Sequence, residues 1–198
     1  MLNRSARYIL AAIQAIMGWE WLMSGGNKLL SGVFPQGLAT ALNNGIKDNP
    51  NGWYISFLQQ VVLPHSALFG YLIEWSEITI GIIMLGGALV LLGQPRMSGE
   101  PQHRLYTGYS VAVIIAAIVA IFQNVNFHFF MGGWVIPTFD PGKPYNEGID
   151  LDGLLPLFFL TIIIANFALL KALTGAKTVR SMLHLSRSQP QQVESNAA

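Results

Sequence analysis

Four long apolar stretches, at positions 8–30, 67–92, 106–130 and 154–173, constrain this chain more than anything else in it. Each has about 20 residues or more, enough at ~1.5 Å per residue to cross a hydrocarbon core of ~30 Å as a helix. A transmembrane β-barrel would show segments of ~10 alternating residues, whereas Val111 to Phe122 is apolar on every side. The expected fold is all-α, an integral membrane four-helix bundle. Only 11% of the residues are charged, against roughly 25% in a soluble domain. A net charge of +1 across 198 residues offers no basic field for nucleic acid, and the length leaves no room for a large catalytic module beside the helices. With no cysteine, the chain by itself forms no disulfide, thiolate cluster or covalent haem link.

Basic residues orient the bundle. Arg4, Arg7, Arg96, Arg104, Lys171, Lys177, Arg180 and Arg187 flank one end of the apolar runs and leave Lys28, Lys47 and Lys143 for the other. By the positive-inside bias, both termini are expected in the cytoplasm. Asp48, Asp140, Glu147, Asp150 and Asp152 gather on the outer side. A cleaved signal at the amino terminus fits poorly, because the first apolar run continues through Trp19, Trp21 and Leu22 without a small-residue cleavage site. Residues 1–175 read as the membrane domain and 176–198 as a polar cytoplasmic tail, disordered from Ser186 on. Between helices 1 and 2, Trp53, Tyr54, Phe57, Leu58, Val61 and Val62 form apolar pairs four apart. That stripe predicts an extracytoplasmic amphipathic helix lying in the membrane interface, with Pro64 breaking the chain after it. The stretch from Met131 to Asp152, rich in Gly, Pro and Asp, reads as irregular.

Polar residues interrupt the apolar runs in register. Glu20, Ser24 and Asn27, with Lys28 beside them, lie along one face of helix 1; Gly70, Glu74, Glu77 and Gly81 follow the same rule on helix 2; Ala116, Ala120, Asn124 and His128 do so on helix 3. An ionisable group at mid-membrane costs ~2.5 to 3.5 kcal/mol, so each needs a partner or a purpose. Counted from the outer helix ends, Glu20, Glu74 and Glu77 all lie about 13 to 18 Å deep. One cation cannot neutralise three carboxylates, so at least one glutamate is expected to keep its proton and be able to donate or relay it. Glu20, Glu74 and Glu77 are therefore the candidate catalytic residues, and Lys28, Asn124 and His128 the candidate ligand-binding ones. Lys28 is expected to pair with Glu74 or Glu20. A buried cluster that merely fixes helix register fits the same pattern.

No nucleophile elbow, phosphate loop or zinc helix is present, and no metal site is expected. His65 and His128 fall near the outer face on different helices, but without a second pair they read as capping or interfacial residues rather than haem ligands. The outer acids lack calcium-loop spacing, and Asp150 or Asp152 reads as the cap of helix 4. A dissolved carrier such as quinone could slip its ring between the helices while Glu, Asn or His hydrogen-bonds its oxygens. Trp19, Trp21, Trp75, Phe127, Phe129, Phe130 and Trp134 could line such a site or form the ordinary aromatic belt.

The run Gly18 to Leu30 (GWEWLMSGGNKLL), then Phe34-Pro35-x-Gly37-Leu38, Asn49-Pro50-x-x-Trp53-Tyr54, Val62-x-Pro64 and Gly70-x-Leu72-Ile73-Glu74-x-x-Glu77-Ile78-x-x-Gly81, resembles the DoxX/DoxD family. The likeness covers helices 1 and 2 and, more loosely, helices 3 and 4 through Gly148-x-Asp150-x-Asp152-Gly153. It implies four helices in a prokaryotic cytoplasmic membrane and a link to thiosulfate:quinone oxidoreductase, of which DoxD-like proteins are membrane subunits. No catalytic residues carry over from the family. Because the chain has no appended domain like the DoxA partner, other membrane or extracytoplasmic subunits are implied. A non-catalytic accessory subunit packed against a larger complex is the competing expectation.

Overall fold

The structure, a computed structural model, describes residues 4–47, 49–93, 100–133 and 151–187. Arg96, Lys143, Trp134, the outer acids Asp48, Asp140, Glu147 and Asp150, and the tail beyond Arg187 lie outside the described residues. Within them the fold is helical, with no strand: α1 (Arg4–Ser31), α2 (Phe34–Ile46), α3 (Gly52–Phe57), α4 (Ser66–Leu92), α5 (Glu100–Phe130) and α6 (Leu151–Arg187). Three helical stretches are long and apolar enough to cross a membrane, Gly52–Leu92, His103–Phe130 and Leu151–Leu173, which is the make-up of an integral membrane protein. The burial pattern agrees with this. Ile16, Ile82, Ile115, Ile164 and Phe167 are all more than half exposed, apolar surface of the kind that lipid covers.

α1 also has 28 residues, about 42 Å of helix, but Gln14, Glu20, Ser24 and Lys28 interrupt its apolar run. It packs antiparallel along α4 through a seam of glycines. A Cβ added to Gly18 would lie 2.9 Å from Leu85 N, one on Gly25 2.8 Å from Ile78 N, and one on Gly81 2.7 Å from Leu22 N. Backbone therefore meets backbone along this contact, as small residues permit in membrane helices. Met17, Met84, Ala117, Ala120, Phe159 and Ile162 fill one core shared by α1, α4, α5 and α6. A second cluster, which includes Leu10, Leu91, Tyr106 and Leu173, closes the end that carries Arg4 and Arg104.

The opposite end is roofed by two short helices. α1 stops where Gly32 takes a left-handed φ of +67°, and Pro35 then opens α2. Pro35 rests on Gly70 of α4, where a Cβ would come within 2.5 Å of its Cα. Asn49 ties the roof to α5: its Nδ2 donates to Phe129 O (2.8 Å) and Phe130 O (3.0 Å), while its Oδ1 accepts from Asn51 N (2.9 Å). α5 itself ends in a Schellman turn, with Gly132 at φ +82° and bonds from Gly133 N to His128 O and from Gly132 N to Phe129 O.

The structure corrects the sequence reading at three places. α2 lies where only loop was expected. Pro64 does not break the chain: a π-helical turn (Leu58–Val62) and a 3-10 turn (Leu63–His65) carry the helix from α3 into α4. The wide turn makes room for a proline ring that would otherwise strike the carbonyl four residues back. The disorder expected from Ser186 on is also corrected at Ser186 and Arg187, which belong to helix α6.

Candidate functional site

The apolar stripe of the connecting segment turns one face inward. Tyr54, Leu58 and Val62, spaced four apart, are buried with Leu38 and Leu42 of α2, whereas Trp53 stands outside at 61% exposure. Tyr54 is fixed by its hydroxyl, which donates to Asn126 O at 2.9 Å.

Beneath this roof lies a cavity of about 400 Å³, walled by α1, α2, α4, α5 and the first turn of α6. Its wall is mostly aromatic and aliphatic, with Phe34, Phe69, Phe122, Phe127 and Phe130 among the rings. The polar contribution comes from Glu20, Ser24 and Lys28 of α1, Tyr54 of α3, Glu77 of α4, Gln123, Asn124 and Asn126 of α5, and Asp152 of α6. Lys28 Nζ donates to Glu77 Oε2 at 2.7 Å and to Ser24 Oγ at 2.8 Å, and lies 5.4 Å from the centre of the Phe34 ring. The Glu77 side chain is 2% exposed and that of Lys28 21%. A second, more open cleft, also of about 400 Å³, reaches Lys28 from outside and shares Lys28, Phe34, Leu38 and Ala41 with the inner cavity. Lys28 thus stands between them, with Glu77 on the inner side.

Of the residues singled out in the sequence, Glu20, Glu77, Lys28 and Asn124 meet at this cavity. Glu74 and His128 are not part of its wall. Glu74 is buried one turn from Glu77 on the seam face of α4, and His128 lies half-buried beside Phe129, 5.9 Å between ring centres. The cation of Lys28 goes to Glu77, which corrects the expected pairing with Glu74 or Glu20. The two glutamates lie three residues apart on one helix face, and the register of α1 on α4 seats Gly25 directly on the Glu77 Cβ. His65 is exposed at the start of α4, with no capping bond from its side chain. The aromatics divide. Trp19 and Trp75 face outward as a belt, Phe127 and Phe130 line the cavity, and Trp21 is both buried at 3% exposure and in the wall, edge-on to Phe159.

Sequence reasoning missed Gln123, which is buried in the wall with Oε1 unpartnered. The signal was present, a glutamine between the apolar run of α5 and Asn124. Gln14, 1% exposed with both amide atoms unpartnered, was missed as well. Glu20 Oε2 and Trp21 Nε1 are likewise buried without partners, so three cavity-lining residues each hold an unused hydrogen-bonding atom, each costing about 1–3 kcal/mol while unpaired. Among the described residues no three His, Asp or Glu side chains converge as metal ligands. No family model, curated protein or solved structure matches the chain.

Proposed function

We propose that this chain is a four-helix integral membrane protein that binds quinone in the cavity beneath α2 and α3, as a subunit of a quinone-linked oxidoreductase. In this reading α1 is a fourth spanning helix, made compatible with lipid because Lys28, Ser24 and Glu77 satisfy one another inside the bundle. Both termini are cytoplasmic, and the roof lies on the extracytoplasmic side. The observation that carries the proposal is the cavity itself: a partly open, mostly apolar volume with aromatic walls that ends on a hydrogen-bonded Lys28–Glu77–Ser24 cluster. Such a volume suits a flat apolar ring whose few oxygens seek polar partners at one end. The DoxX/DoxD-like motifs along α1 and α4 point the same way, with thiosulfate as the electron source on the outer side and a partner subunit to deliver the electrons.

Quinone is the substrate here, and its reduction consumes two electrons and two protons. Lys28 places a fixed positive charge at the head of the cavity, where it stabilises negative charge arriving on a ring oxygen. Glu77, lining the cavity beside that cation, can take up a proton and hand it to a reduced ring oxygen. The apolar roof keeps bulk water from the reacting ring.

The test is titration of the detergent-purified protein with a short-chain benzoquinone, followed by calorimetry. Saturable binding is expected, weakened about tenfold by Glu77→Gln. The cavity assignment fails if wild type does not saturate, or if a folded Glu77→Gln protein binds unchanged. A non-binding chain that co-purifies stoichiometrically with a large cofactor-carrying partner in mild detergent would identify an accessory subunit instead.

A further inference from the structure

α2 leaves a gap along one of its sides. It packs on α4, where Pro35 rests on Gly70, and touches α1 at few points. The outer cleft occupies that gap, with Asn27, Lys28 and Ser31 of α1 on one side and Phe34, Gly37 and Ala41 of α2 on the other. It adjoins the inner cavity at Lys28, Phe34, Leu38 and Ala41, which line both volumes, and of these four only Leu38 is buried. The α2 side of the cleft is apolar. Val33, which belongs to its wall, is 66% exposed, and nearby Leu30 is 87% exposed, surface that suits hydrocarbon better than water. On the α1 side the Ser31 hydroxyl is spent on its own helix, donating to Lys28 O at 2.7 Å. Gly37 leaves a hollow in the wall, because a Cβ there would meet nothing within 4 Å.

Resting on the quinone reading of the inner cavity, we propose that the outer cleft is the exit for the ligand's hydrocarbon tail, so that the substrate class is a long-tailed quinone carried in the lipid. Such quinones bear their chain on the ring carbon next to a carbonyl carbon. A ring whose oxygen meets Lys28 therefore starts its tail beside Lys28, and Lys28 is where the inner cavity adjoins the cleft. The inner cavity, about 400 Å³, is of a size for the ring and its substituents, and a long chain needs a second volume; the cleft supplies about 400 Å³ more and opens outward. A tail leaving this way runs along the apolar side of α2 and past Val33 toward lipid, so its hydrocarbon is not handed to water. Gly37 is then a specificity residue. It touches no reacting atom, and its missing side chain is what leaves the passage wide enough for a chain.

The experiment compares a tail-less methylated benzoquinone with the same ring carrying a decyl chain, by calorimetry on the purified full chain in one mild detergent. Wild type is expected to bind both. Gly37→Trp fills the cleft from an exposed helix position and should weaken the decyl compound about tenfold, the order of cost of overfilling a packed site, while leaving the tail-less ring unchanged. Gly37→Leu is the smaller step and should give the same selective loss to a lesser degree. Gly26→Trp adds the same indole to α1 at a position in the wall of neither volume and should alter neither affinity. Because every variant is measured in the same micelles, partition of the chain into detergent cancels from the comparison. Undiminished binding of the decyl compound by folded Gly37→Trp, equal loss of both ligands, or a wild type that binds only the tail-less ring would overturn the tail exit while leaving the cavity a quinone site. Failure of wild type to bind either compound would overturn the quinone reading, and this one with it.

Discussion

Lys28 is worth more to this fold than a surface lysine because of what it leaves behind when removed. Its partner Glu77 has a 2% exposed side chain, so Lys28→Met would strand a carboxylate with no route to water. Breaking one side of a buried pair costs about 3–5 kcal/mol, most of it the penalty on the abandoned charge. Because Lys28 itself is partly exposed, the lower end of that range applies. Lys28→Met should lower stability by about 3 kcal/mol, and the double variant Lys28→Met with Glu77→Gln should recover much of the loss, a coupling that unfolding measurements in mild detergent would detect. Glu74→Gln combined with Lys28→Met should show no such recovery. Equal recovery from both glutamines would mean that Lys28 moves between the two carboxylates and that the 2.7 Å contact is one of two.

At the level of single helices, two adjacent glycines of α1 have opposite roles. Gly25 lies on α4, with Ile78 N and Glu77 Cβ within 2.9 Å of where its Cβ would be. Gly26 has nothing within 4 Å. Gly25→Ala must push α1 and α4 apart and should cost about 1–3 kcal/mol, whereas Gly26→Ala should add up to ~1 kcal/mol by helix propensity alone. Thermal unfolding of the two variants in the same detergent gives the comparison, and similar shifts would mean that the seam does not run through Gly25. The seam also explains what could and could not be read beforehand. Long apolar helices declare themselves because only a helix satisfies its own backbone in lipid, and the i, i+4, i+7 polar faces followed from helical spacing. The choice of Glu77 over Glu74 did not, because it depends on the register of α1 against α4 at the Gly25 contact. α2 was illegible for a similar reason. Its buried face is only Pro35, Leu38 and Leu42, in a segment rich in Asn and Gly, and what holds it down is Gly70 on another helix. Gln123 was visible as a glutamine beside Asn124 and Trp21 as an aromatic that could line a site, but their unused hydrogen-bonding atoms exist only once the fold has placed their neighbours.

For the whole molecule, the arrangement of the ends follows from two facts. α1 runs antiparallel to α4, and Asn49 and Asn51 fasten the roof to the far end of α5. Ser5, at the start of α1, must then lie at the opposite end of the bundle from Lys47, which follows α2. Both are exposed. If α1 spans the membrane alongside the three more apolar stretches, these two positions lie on opposite sides, with the arginine-rich end inside. The absence of cysteine makes the test clean: Lys47→Cys and Ser5→Cys each introduce one thiol into a chain that has none. In intact cells a membrane-impermeant maleimide should label Lys47→Cys and leave Ser5→Cys unreacted until the membrane is broken. The reverse pattern would invert the bundle and place the outer cleft at Lys28 in the cytoplasm. Labelling of both in intact cells would mean that α1 does not cross. Its Lys28–Glu77 pair would then form at an interface open to water, and the cavity on which the quinone reading depends would face water instead of lipid.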